Sequence, residues 1–92
     1  MGAVYDELYI STMREMDVCA SAIRKLERVI GDMETKYNVQ THEFIERFSK
    51  GGMEDNKDFV SWHGSYERLK HWEGRLKEFK GILQNAKDES MR

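Results

Sequence analysis

The stretch SWHGSY, Ser61 to Tyr66, decides how this chain is read. A glycine two residues after a tryptophan either opens a turn between helices or is tolerated inside one. The neighbours settle the register, because Phe59, Trp62, Tyr66 and Leu69 recur at steps of three and four, the spacing of one helix face. Trp62 therefore reads as a residue one full turn inside a helix. Gly64 then falls on the exposed side.

Working outward, the same stripe continues through Trp72, Leu76, Phe79, Leu83 and Ala86, so the spacing predicts a long helix over about residues 56–88. Two consecutive steps of three, Tyr66 to Leu69 to Trp72, shift the stripe around the helix as a stammer does, and the helix has to wrap its partner. Asp55 or Asn56 is placed to cap its start, with acid in the first turn to suit the dipole. Gly64, Gly74 and Gly81 each cost ~1 kcal/mol relative to alanine inside a helix. Gly74 and Gly81 share a face, which leaves two readings: a close approach by another helix, or tolerated surface glycines.

Upstream, Gly51-Gly52 stops a short helix over about residues 42–50, HEFIERFSK, for which Thr41 is the expected cap. Its Phe44, Ile45 and Phe48 share a face, and Glu43 with Arg47 and Glu46 with Lys50 are expected to pair. Before it, Tyr5, Tyr9, Thr12, Met16, Cys19, Ile23, Leu26, Ile30, Met33 and Tyr37 alternate steps of four and three, a heptad seam that predicts a helix over about residues 4–37. Polar Glu15, Arg24, Lys25, Arg28, Asp32 and Glu34 occupy its other faces.

The expected fold is all-α: an antiparallel hairpin of two long helices joined by a short one, in a single domain spanning residues 1–92. One hairpin has one seam, yet the chain carries 10 aromatic residues (2 Trp, 4 Tyr, 4 Phe) and 6 methionines. That surplus leads to an expected homodimer, two hairpins closing into a four-helix bundle. The absence of proline and a charged content of 35% agree with long exposed helices. A net charge of −2 argues against nucleic acid or an anionic membrane as partner.

Cys19 is the only cysteine, so no internal disulfide forms and a reducing, cytoplasmic location is expected. The opening MGAVYDELYI lacks the basic start and apolar run of a secretion signal. No stretch approaches the ~20 apolar residues of a membrane span.

Candidate chemistry is sparse. His63, Glu67 and His71 recur at intervals of four, but residues eight apart on a straight helix lie ~12 Å apart while zinc holds each ligand at ~2.0–2.2 Å, so only a neighbouring pair could share one ion. No metal or other cofactor is expected. His42 stands alone, Cys19 belongs to the apolar seam, and Gly51-Gly52 lacks the preceding strand and following Lys-Ser or Lys-Thr of a phosphate loop. Lys70, Lys77, Lys80 and Lys87 track one side of the last helix, but Glu67, Glu73, Glu78, Asp88 and Glu89 interleave with them, as on a solvated face. Glu73 and Lys77 are spaced to pair. No catalytic residue is expected, and the chain reads as a binding protein. Its candidate interaction centre is Phe44, Phe48, Phe59, Trp62 and Tyr66, aromatic residues flanking the only glycine pair and able to meet when the turn closes.

At Lys36-Tyr37, Glu43-Phe44, Phe48, Gly51 and Asp58-Phe59-Val60-Ser61-Trp62 the sequence resembles a family of small, largely uncharacterised bacterial and archaeal proteins. In them a Lys-Tyr pair, a short Glu-Phe helix, a glycine and an acidic segment leading to a tryptophan follow in this order. The resemblance covers about residues 33–83. Members are often encoded beside a putative toxin, so the resemblance implies an antitoxin-like role with a protein toxin as partner. A structural dimeric coiled coil without a toxin is the alternative. A secreted Trp-x-Gly helical hairpin is a second, although such proteins carry the triplet in the turn between their long helices and end in a tyrosine-then-acid export signal that LQNAKDESMR lacks.

Overall fold

A computed structural model describes the backbone of residues 2–51, 53 and 56–90, and the side chains of residues 7–51, 53 and 56–85. Regular structure in the described residues is entirely helical: α1 (Gly2–Tyr37), α2 (Thr41–Ser49) and α3 (Lys57–Ser90). α1 and α3 pack side by side with opposite directions, and α2 lies against α3 near the turn. The molecule measures 58 × 20 × 17 Å. At 1.5 Å per residue the 36 residues of α1 span ~54 Å, so the molecule's length is that of one helix and its width that of two. No helix among the described residues is long and apolar enough to cross a membrane.

Local chemistry explains where the helices stop. Asn38 adopts a left-handed φ of 53° just after α1, which lets the Val39 amide donate back to the Glu34 carbonyl at 3.3 Å and closes the last turn. Gly51 does the same after α2 with φ 73°, its amide reaching the Phe48 carbonyl at 3.1 Å. α3 is preceded by Asn56, whose side-chain oxygen accepts from the Phe59 amide at 2.8 Å. Asn56 is therefore the cap; the alternative Asp55, the second turn glycine Gly52, and the side chains of Tyr5, Ala86, Lys87, Asp88 and Glu89 lie outside the described residues.

Thr41 corrects the expectation for α2. The N-cap is Gln40, in extended conformation and without a side-chain cap bond, while Thr41 is the first helical residue. Its amide and hydroxyl both donate to the Glu34 carboxylate, at 2.8 and 2.9 Å. A carboxylate on α1 thus does for the start of α2 what a capping hydroxyl would have done. The expected ion pairs also divide: Glu46–Lys50 forms at 3.1 Å, whereas neither Glu43–Arg47 nor Glu73–Lys77 forms among the described residues.

The seam is buried unevenly. Ile30, Phe44 and Trp62 form a core near the turn, with Met33, Tyr37, Val39, Ile45, Phe48, Met53, Phe59, Tyr66 and Leu69 packed around it. Farther along α1, Thr12 and Cys19 alone are buried among the described residues, and Tyr9, expected in the seam, is 57% exposed. On α3 the shifted stripe brings Ser65 into the interior at 3% exposure. Trp62 and Gly64 lie inside α3, not in the segment that links α1 to α3. Gly74 and Gly81 have open space where a Cβ would stand, so no helix of this chain approaches them.

Candidate functional site

The structure brings Phe44, Phe48, Phe59, Trp62 and Tyr66 into one cluster at the turn end. α2 supplies the first two from one face and α3 the other three from its seam. Phe44 lies flat on Trp62, with ring centroids 3.9 Å apart and planes 3° apart, and both are fully buried. Phe48 and Phe59 flank Phe44 at 5.4 and 5.5 Å, and Tyr37 of α1 reaches Phe59 at 5.1 Å and Trp62 at 6.1 Å. Phe48, Phe59 and Tyr66 are half-buried, so only these three of the five offer ring surface to a partner. The other two hold the short helix to the hairpin.

Two polar ties frame the rings. The Trp62 indole N–H donates to the Thr41 hydroxyl at 3.1 Å, and that hydroxyl donates to the Glu34 carboxylate at 2.9 Å. This chain links α3, α2 and α1, and it satisfies the one polar atom of a ring that is otherwise surrounded by apolar groups. On the other flank Asp58 accepts from the Lys36 ammonium at 2.6 Å and from the Tyr37 hydroxyl at 2.5 Å. Lys36 stands in the last turn of α1 and Asp58 in the first turn of α3, so each charge also suits its own helix dipole. The Lys36 bond, then the Tyr37 bond, holds the Asp58 carboxyl below its ordinary value of 3.8. The bond to Asp58 raises the Lys36 ammonium, and it raises the Tyr37 phenol together with that ring's desolvation.

Two of the three histidines are engaged by rings. His63 stacks on Phe48 at 5.0 Å and lies 3.7 Å from Glu67, while His71 meets the edge of Trp72 at 5.7 Å. No group of three potential metal ligands comes together among the described residues. Cys19 is buried in the seam at 1% exposure. Lys70 lies over the Tyr66 ring at 5.3 Å, and Arg75 is spread between the rings of Trp72 and Phe79, at 6.0 and 5.6 Å. The Arg75 Nε is hidden there without a hydrogen-bond partner.

No protein family model, curated protein or solved structure matches this chain.

Together these side chains make a clasp at the turn end. Lys36, Tyr37 and Asp58 form one polar tie, Phe44, Phe48, Phe59 and Trp62 form the ring stack, and Gly51 supplies the left-handed turn. Sequence reasoning missed the pairing of Glu34 with Thr41 and of Lys36 with Asp58, since neither spacing lies within one helix. The usable signal was Lys36-Tyr37 standing at the helix end opposite an acid in the first turn of the next long helix.

Proposed function

We propose that this chain is a non-enzymatic protein–protein interaction module, acting in the cytoplasm as a homodimer and binding a protein partner in the manner of an antitoxin. The observation that carries the reading is apolar surface left uncovered by the single hairpin: Leu8, Tyr9, Ile10, Val18, Val29, Val60 and Ile82 are all exposed. A two-fold pair of hairpins forming a four-helix bundle is the simplest way to cover part of it. The half-buried rim of Phe48, Phe59 and Tyr66 is the proposed place for a toxin, since aromatic edges on a rigid base are efficient anchors.

The structural dimer without a toxin is the second reading, and one observation favours it. Phe44 and Trp62, the fully buried members of the cluster, are wholly committed to holding α2, so the cluster has a sufficient role in the fold.

Co-expression with the product of the adjacent gene, followed by pull-down, tests the proposal. Wild type is expected to capture it, and Phe48→Ala and Tyr66→Ala, still helical, are expected to lose it. No capture by folded wild type removes the toxin-binding reading and leaves the structural one.

A further inference from the structure

The Lys36–Asp58 ion pair, 2.6 Å long, fixes which lines of the two long helices meet on one flank of the hairpin, and that flank turns apolar away from the pair. Counting by sevens from Lys36 toward the start of α1 gives Val29 and Ala22 before the line meets a charge at Glu15. The same count from Asp58 along α3 passes the buried Ser65 and then gives the half-buried Trp72 and Phe79. Val18 and Ile82 widen this face, at 51% and 41% exposure, while Ala22 is small enough to let another helix come close. On the opposite flank the corresponding line of α3 is polar: His63, Lys70, Lys77 and Gln84. α2 leaves the apolar flank open, because α2 is held on that opposite side, by Glu34 and under His63.

An apolar seam of a and d positions alone suits a two-stranded coil, but a seam with an added apolar flanking line is the pattern of a helix in a larger bundle. The exposed area agrees. A folded monomer of 10.9 kDa exposes about 5,600 Å², whereas this chain exposes 7132 Å². The excess of about 1,500 Å² exceeds the roughly 800 Å² that each partner buries in a standard stable interface. Trp72 and the ring-stacked Arg75 beside it are residue types enriched at such interfaces.

We propose that the face lined by Val18, Ala22, Val29, Trp72, Phe79 and Ile82 is the docking surface for a second copy of this chain. It rests on the self-association proposed above and gives it a location. The aromatic rim at α2 stays outside the dimer interface, so one molecule could hold its twin and a further partner at once.

Sedimentation equilibrium on the full chain from micromolar to about 100 micromolar tests this, with circular dichroism recorded on every variant. Wild type is expected to be a dimer. Val18→Glu and Val29→Glu each place a charge in the proposed interface without entering the seam, and each is expected to weaken the dimer about a hundredfold while helicity is retained. Val60→Glu, on the outer surface of α3, is expected to leave the dimer unchanged. A dimer that survives both Val18→Glu and Val29→Glu, or one lost equally in Val60→Glu, overturns the face and leaves self-association standing. A wild type that remains at 10.9 kDa throughout overturns both.

Discussion

The two ends of the hairpin are built from the same seam and differ in what covers it. At the turn end a third helix lies over the groove, Trp62 is 1% exposed, and two polar ties cross between helices. In the far half, two helices face each other alone, and Leu8, Tyr9 and Ile10 stand in the open. A pair of helices hides only a narrow strip of each, whereas three can enclose a side chain. The nine residues of α2 therefore decide where large rings such as Phe44 and Trp62 are enclosed, while the far half of α1 buries only the small Thr12 and Cys19 among the described residues. The far half is apolar enough to belong to a bundle but has only two of the helices a bundle needs.

The largest expected effect probes that contrast directly. Trp62→Ala removes the ring on which Phe44 stacks and is expected to cost about 3–5 kcal/mol, measured by denaturant unfolding. Phe79→Ala, on a half-buried ring of the far half, is expected to cost less at concentrations where the chain is a monomer. Equal losses would break the comparison.

Next in size is the polar tie inside the clasp. Thr41→Val keeps the side chain's shape but leaves the Trp62 indole N–H without an acceptor and the Glu34 carboxylate without its donor hydroxyl. The expected cost is about 1–3 kcal/mol, again by denaturant unfolding. Thr41→Ser, which keeps the hydroxyl, is expected to recover most of it. Asn56→Ala comes third, with about 1 kcal/mol lost with the cap of α3.

The long helices were legible because their apolar residues keep strict steps of three and four over many turns. The meeting of the five aromatic residues was legible from the glycine pair between them. Tyr9 was misplaced because periodicity marks which face a residue occupies but not whether anything covers it there. Thr41 was misplaced for a related reason: a hydroxyl at a helix start is normally used locally, and here a carboxylate from α1 took that role. Ser65 was overlooked because a small polar residue makes no apolar stripe, although the stripe's shift is what carries it inward.

The smallest expected effect is a pH dependence at the surface tie, where solvent screens the charges. Asp58 has a lowered carboxyl in the folded state, so its contribution is complete above the ordinary value of 3.8 and is lost as pH falls through the lowered one. Tyr37 and Lys36 are raised, so theirs are complete below 10.0 and 10.5 and are lost as pH rises through the raised values. Stability is expected to be level between those limits and to decline at both ends. In Asp58→Asn, thermal melts across pH are expected to show a shallower decline on both sides.

Amide hydrogen exchange along α1 tests most directly the claim that the two halves differ because only one is covered within the chain. At concentrations low enough for the monomer, amides of residues 27–37 are expected to open only with global unfolding, and those of residues 9–20 far more readily. Raising the concentration is expected to slow both groups, because dimerisation stabilises the fold as a whole, and to narrow the difference between them. Equal protection along α1 in the monomer, or slower exchange in residues 9–20 than at the turn end, would contradict the account.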